Sequence, residues 1–499
     1  MTNFRGLVLA PLLLGGCVVG PDYAGPPGLG RAAPQSKFVR QTASTSTNDP
    51  AVAEWWTALQ DPVLNELERR ALAANPSIDV AQARLRQARA SVRQERANRF
   101  PKAGAQATGI FADLPGIDLQ SAQGNGATPP SQDADSSLQF FNLGLNANWE
   151  IDLAGGQIRK IESANALAAA ASYNAADAHV QLAADVAQSY TNLRDRQQRA
   201  AALRGGLDLQ KQQLGLARQR FQQGTVPAFA IGQANRAIQA TNGDLATAEA
   251  EIGIYLNALA VLAGEAPGRL DSLLAVPRDV PLPPQVVAIG DPASLLRRRP
   301  DIRAAERNLA ATTARIGVAE AARFPKISFM GILGIGGTSV GDLVDLGNIS
   351  NIAVPQLQWG LLDFGRTSAQ ITQARAGRDE AEAQYRQLVL GALQDAENSL
   401  ARFAQQRRNV AALAEIKRSA DESDILTQQR FQRQVITRSD ALASGRQKVL
   451  AASNLQSAVA ALTASYVAIQ KSLGLGWGEP TDSSLGSTPL NTSEIISKN

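Results

Sequence analysis

Two stretches of this chain can be laid over one another without a gap, and that duplication limits what the chain can fold into more than any other feature. Pro76, Ile78, Ala81, Leu85 and Ala90 fall on Pro300, Ile302, Ala305, Leu309 and Ala314, and both stretches end in Arg-Phe-Pro-Lys, at 99–102 and 323–326. Further on, Trp149 matches Trp359, and Arg220-Phe221-Gln222 matches Arg430-Phe431-Gln432. The period of 210 to 224 residues is too long for a solenoid repeat, so a whole domain is present twice.

Each copy has the same order of elements. A helix over 76–99, and again over 300–323, stops at Phe-Pro because proline cannot continue it. Two strands follow, predicted at 103–113 and 138–151 in the first copy and at 326–336 and 351–363 in the second. The clearest runs through Phe141, Leu143, Leu145, Ala147, Trp149 and Ile151, alternating with Asn142, Gly144, Asn146, Asn148 and Glu150. Strict alternation gives a strand one apolar and one polar face. Leu357, Trp359 and Leu361 beside Gln356, Gln358 and Gly360 repeat the pattern. Polar loops at 114–137 and 337–350 join each pair.

Gly155-Gly156 and Gly365-Arg366 then open long stretches rich in alanine and glutamine, both good helix formers. Val389, Leu393, Ala396, Leu400 and Phe403 are spaced 4, 3, 4 and 3, a coiled-coil seam. Each long helix is predicted to be ~100 Å long and to end in a turn, at 223–228 and 433–438, before a return helix to Leu262 or Leu473. The proline-dense segment 265–299 reads as a non-helical collar connecting a first repeat, 76–264, to a second, 300–474. The chain from 475 to 499 completes the collar and tails off, and the segment before Trp55 reads as surface wrap or disorder.

The N-terminus carries its own signal. Arg5 precedes an apolar core, Leu7 to Leu14, which ends in Leu14-Gly15-Gly16-Cys17. This reads as a secretory signal over 1–16, and Cys17 is the only cysteine, so it has no disulfide partner within the chain. No uninterrupted apolar run reaches the eighteen or so residues of a spanning helix. Any membrane crossing must therefore use strands in a closed barrel. Four strands cannot close one, so several chains must share it. Two would give eight strands and three would give twelve, and strand arithmetic does not choose.

Enzyme chemistry finds little support. His179 is the only histidine and reads as part of a solvated helix face, with no second histidine or cysteine to complete a metal set. The glycines at 334–337 lack the Lys-Ser/Thr of a phosphate loop. A net charge of +4 over 499 residues, with the basic residues dispersed, gives no case for nucleic acid. No catalytic residue, metal or cofactor is expected.

Leu14-Gly15-Gly16-Cys17 resembles a bacterial lipobox, which makes Cys17 the expected lipid-bearing N-terminus of an extension, 17–75. The run Leu295-Leu296-Arg297-Arg298-Arg299-Pro300-Asp301-Ile302-Arg303-Ala304-Ala305-Glu306, continuing through Ile316-Gly317-Val318-Ala319 to Arg323-Phe324-Pro325-Lys326, resembles the signature segment of the outer-membrane factor family. These are the TolC-like and OprM-like efflux channels, and Val19-Gly20-Pro21-Asp22-Tyr23 is similar to their lipoprotein, NodT-type branch. The resemblance implies a mixed α and β membrane protein that forms a homotrimer with a 12-stranded β-barrel, a long α-helical periplasmic tunnel and an equatorial collar. It also implies docking to a periplasmic adaptor and an inner-membrane pump. In such a barrel Leu143, Leu145, Trp149, Leu357, Trp359 and Leu361 should meet outer-membrane lipid, and Asn146, Asn148 and Gln358 the lumen. An uptake porin would leave the long helices without a role, and a purely structural coiled-coil lipoprotein would leave the strands unexplained.

In the resembling family the tip of the second copy narrows the tunnel. Its usual Gly-Val turn is here Gln434-Val435, and its acidic position falls on Ala443. The nearest charges are Arg438, Asp440 and Arg446. They form a candidate gate in which Asp440 pairs with an arginine of its own or a neighbouring chain. Alternatively, Asp440 is a first-turn residue favoured by the helix dipole.

Overall fold

The computed structural model describes residues 18–30, 33–113 and 137–478. Cys17, the signal segment, nearly all of the loop predicted at 114–137, and the tail from 479 lie outside the described residues. The chain divides into two compact units.

The first unit takes in the described residues up to Pro27, Arg86–Ala169 and Glu306–Ala383. It holds the main sheet, whose strands are β2 (Lys102–Asp113), β3 (Ser137–Ile151), β5 (Lys326–Gly337) and β6 (Ile349–Gln358). They lie in the order β2-β3-β5-β6 and are antiparallel throughout. The duplication is therefore a pair of hairpins joined edge to edge, with β2 and β6 left as open edges. Pro355 sits in β6, where an edge strand tolerates its missing N–H.

The last predicted strand is shorter than expected. β6 ends at Gln358, so Trp359 and Leu361 lie beyond it. Its final pair is Lys326↔Gln358, and the partner chain immediately before Lys326 is Phe324-Pro325, where β5 has not yet begun. Apolar alternation continues through Leu361, but no strand is left to pair with it.

The second unit takes in Gly28–Leu85, Ala170–Ala305 and Gln384–Asn499, and the main hydrophobic core lies within it. Here the N-terminal segment adds elements that periodicity did not reveal. A two-residue strand β1 (Thr45–Ser46) pairs in parallel with β4 (Val287–Ala288), a 3-10 turn at Trp55–Leu59 buries both tryptophans, and α1 spans Pro62–Ala74. Asp61 caps α1 by accepting from the Val63 and Leu64 amides at 2.8 and 3.1 Å, and Pro62 follows as a favoured first helical residue. The segment before Trp55 thus wraps the unit in part, with Phe38 buried.

The helical repeats match in length. Short helices α2 (Pro76–Ala97) and α7 (Pro300–Ala321) have 22 residues each, long helices α3 (Gly156–Gln222) and α8 (Arg366–Gln432) 67 each, and return helices α4 (Ala228–Leu262) and α9 (Arg438–Ser472) 35 each. Two further helices, α5 (Asp271–Leu274) and α6 (Pro292–Arg298), lie in the connector. Val389, Ala396, Leu400 and Phe403 of the predicted seam are buried, and Leu393 packs against the same core.

Although α4 has no unbroken apolar run, it is long and apolar enough to cross a membrane by length and composition. Its Glu249 and Glu251, however, pair with Arg204 and Arg196 of α3 at 2.6 and 3.2 Å. These contacts dock it as the return arm of a hairpin. His179 is half-buried on α3, not fully solvated, and burial lowers its pKa below the usual 6.5.

Candidate functional site

Residues directly opposite in a sheet register share a face, so the pairing assigns both faces of the first unit's sheet. One face carries Phe141, Leu143, Leu145, Ala147, Trp149 and Ile151 from β3. Opposite them stand Ala103, Ala105, Ala107 and Gly109 from β2 and Ile327, Phe329, Leu333 and Ile335 from β5, with Leu357, Pro355, Ala353 and Ile349 of β6 in line. Asn351 of β6 is the one polar side chain among these positions. Leu143, Leu145 and Leu357 are more than half exposed. A broad apolar face left open to its surroundings is what lipid contact requires.

The other face is mixed. It holds Lys102, Gln106 and Thr108 of β2, Asn142, Asn146 and Asn148 of β3, Ser328 of β5, and Ser350, Gln356 and Gln358 of β6. With them stand the apolar pair Ile110 and Phe140 in the first repeat and Met330, Ile332, Ile352 and Val354 in the second. The register thus puts Leu143, Leu145, Trp149 and Leu357 together on one face and Asn146, Asn148 and Gln358 on the opposite one. Trp359 and Leu361 are exposed but off the strand.

The duplication extends to individual hydrogen bonds. The Trp149 indole N–H donates to the Arg99 carbonyl at 2.9 Å, and the Trp359 indole N–H donates to the Arg323 carbonyl at 3.0 Å. Each tryptophan thereby fastens a strand end to the Arg-Phe-Pro corner where a short helix has just stopped. An indole with a bonded N–H and an exposed ring suits a membrane–water boundary.

A strap from the N-terminus crosses the same region of the first unit. The Val19 amide donates to the Ala154 carbonyl at 3.1 Å, three residues past the end of β3. Gly155 has φ +73°, and a Cβ there would lie 2.8 Å from the Val18 Cα; Gly20, at φ +89°, would place one 2.3 Å from the Gly317 Cα. Arg159, almost fully buried, holds the strap in place. Its guanidinium donates to the carbonyls of Val19 and Gly20 at 3.0 and 2.9 Å and pairs with Asp22 and Glu162, both at 2.7 Å. The Tyr23 hydroxyl continues the strap to Glu306 at 3.2 Å. The strap therefore contacts residues of both repeats. Sequence inspection missed Arg159, whose only signal is a basic residue in the first turn of a long helix, where the dipole disfavours it.

The helix tips belong to the second unit. The turn after α8 repeats the turn after α3: the Val435 amide donates to the Arg430 carbonyl at 2.9 Å, as the Thr225 amide does to the Arg220 carbonyl at 2.9 Å. This closure needs a left-handed residue. Gly224 supplies it at φ +69°, whereas Gln434 adopts φ +59° despite its side chain.

Beyond the turn, Thr437 and Asp440 form a capping box for α9. The Asp440 Oδ2 accepts from the Thr437 amide at 3.0 Å and its hydroxyl at 2.7 Å, and these bonds lower the carboxyl pKa below its usual value. Among the described residues no ion pair joins Asp440 to Arg438 or Arg446. The cap engages the carboxylate locally, through Oδ2.

Together these features define a class: a chain that carries a four-stranded antiparallel sheet with one broad apolar face and, in each repeat, a long helical hairpin. The chain belongs to the outer membrane efflux protein family, whose model matches residues 67–265 and 292–475. It is 28% identical over 467 residues to nodulation protein T of Rhizobium leguminosarum bv. trifolii, covering 93% of this chain and 96% of that protein. Outer membrane protein OprJ of Pseudomonas aeruginosa is 30% identical over 436 residues, covering 85% and 86%. The solved structure of the outer-membrane channel OprN aligns with a TM-score of 0.81 at 30% identity, covering 92% of this chain and 100% of that one. The protein is accordingly an outer-membrane channel component of an efflux system, as the Leu295–Lys326 signature implies.

Proposed function

We propose that three copies of the chain close one 12-stranded barrel and a helical tunnel, forming a duct that takes small molecules from a periplasmic adaptor and inner-membrane pump to the exterior. The observation that carries this reading is the four-stranded sheet with an apolar face and two open edges, β2 and β6. Lipid does not tolerate unpaired edge groups, so β2 of one copy must meet β6 of the next. Three copies rather than two follow from family membership. Leu143, Leu145, Trp149 and Leu357 then contact lipid, and Trp359 and Leu361 extend that surface below the strand end. Cys17, one residue before the strap, carries the acyl anchor.

The tips of α8 and α9 form the gate. Asp440 uses Oδ2 for its cap, so Oδ1 remains for Arg438 or Arg446 of a neighbouring copy. Such exposed pairs are individually weak, which suits a closure that an incoming partner must release. The duct is tested by the mass of the detergent-extracted protein and by planar-bilayer conductance. A heat-sensitive trimer that conducts is expected, and a non-conducting monomer would end the reading. For the gate, Asp440→Ala and Arg438→Ala should each raise the conductance of the closed channel; unchanged conductance in both removes the latch.

A further inference from the structure

The two repeats differ on the water-facing side of the sheet. With the strands aligned by the duplication, Gln106, Thr108, Asn142 and Gly144 of the first repeat correspond to Met330, Ile332, Ile352 and Val354 of the second. The register makes the latter four a single patch: Met330 stands directly opposite Val354, and Ile332 directly opposite Ile352. Polar residues bound it along the strands, with Ser328 and Gln356 as one neighbouring row and Gly334 with Ser350 as the other. On the first-repeat side, Asn148 and Asn146 of β3 face Met330 and Ile332. Met330 and Ile352 are exposed, at 37% and 51%.

We propose that this patch is an apolar subsite on the channel wall, which binds the ring or alkyl part of amphiphilic organic molecules as they pass. The inference rests on the trimeric-duct reading above and adds to it a chemical class of cargo and a place of contact. The patch lies opposite the face suited to lipid, so lipid does not cover it. Nor can the barrel's own far wall: eight strands already leave an interior only just filled by side chains, and the lumen widens roughly linearly with strand number. In a three-fold assembly the wall then alternates three apolar patches with three polar ones at the same height. A molecule with one apolar and one polar side can exchange between them without fully rehydrating its apolar part.

The test is current block in a planar bilayer by two monovalent cations of different surface, tetraphenylphosphonium and tetramethylammonium, applied to the purified full-length trimer. The wild type should hold tetraphenylphosphonium longer. The triple variant Met330→Gln, Ile332→Thr, Ile352→Asn carries residues that the first repeat already accommodates at the equivalent positions. It should shorten that dwell about tenfold, the effect expected for roughly 60 Å² of apolar contact, with potassium chloride conductance unchanged. Met330→Leu with Ile352→Val should retain the long dwell, and Ile352→Asn alone serves if the triple variant does not assemble. In parallel, Ile352→Cys in vesicles should react with a membrane-impermeant maleimide, and Leu357→Cys should not.

Absence of conductance from the wild type and from the gate variant Asp440→Ala alike would refute the duct itself. A conducting channel that holds both cations equally, or whose preference survives the substitutions, would overturn the subsite and leave the duct standing. So would an unreactive Ile352→Cys, which would mean that another surface covers the patch.

Discussion

Glu68 offers a stability prediction with a defined sign. It lies on α1 of the second unit, fully buried, and neither carboxyl oxygen has a hydrogen-bond partner. Burial alone raises its pKa well above the usual carboxylate range, so the folded chain keeps it protonated where the unfolded chain would not. Below pH ~4.5 both states hold the proton and the contribution to stability is complete. Above that pH only the unfolded state releases it, so stability falls by about 1.4 kcal/mol per pH unit until the folded-state pKa is passed. Between pH 5.5 and 7.5 this amounts to at most about 2.7 kcal/mol for each chain.

Glu68→Gln cannot ionise, so its decline over this range should be shallower by that amount. Its own buried amide adds a pH-independent offset of about 1–3 kcal/mol. The assay is the apparent melting temperature of purified trimer in detergent, at a fixed scan rate, for wild type and variant at several pH values. Other titrating groups cancel in the difference between the two. That difference should shift in favour of the variant as pH rises. Parallel curves would refute the claim that Glu68 folds in its neutral form.

Three further outcomes are expected. Leu145→Lys should cost ~2–4 kcal/mol if its position is near mid-membrane and reduce trimer yield, whereas Asn146→Lys should assemble; the reverse result would mean that the two sheet faces are exchanged. Gln434→Gly should raise the melting temperature slightly, because a left-handed non-glycine residue costs ~1–2 kcal/mol; a lower melting temperature would show that the Gln434 side chain contributes more than its backbone costs. Mass spectrometry of the mature N-terminal peptide should find an acylated Cys17, and an unmodified cysteine or cleavage at another bond rules out the anchor.

The elements that were readable in the sequence are those with a regular period. Alternation in β3 and the 4-3-4-3 seam of α8 each place side chains on one face irrespective of tertiary context. Strand β6 was overrun because alternation says nothing about whether a partner strand is present, and here the partner runs out at Pro325. The helix α1 was missed although Asp61-Pro62 marks its start, since its apolar positions lie between tryptophan-rich and proline-broken segments. The strap could not be read at all: Val19, Gly20 and Pro21 have no period, and the contact between Gly20 and Gly317 joins residues almost three hundred positions apart. At the tip, one chain's sequence left Asp440 between latch and cap. Geometry assigns the cap within the chain, because a carboxylate three residues after Thr437 reaches the nearer donors first.

The paired tryptophans have a mechanical consequence. In each repeat an indole ties the strand end to the carbonyl just past a helix, at a corner that proline already prevents from straightening. A joint braced in this way, once per hairpin and so six times around a trimer, has little freedom to pivot. Any change of angle between a short helix and its strand would have to break the indole bond first, so this corner is expected to move as one piece.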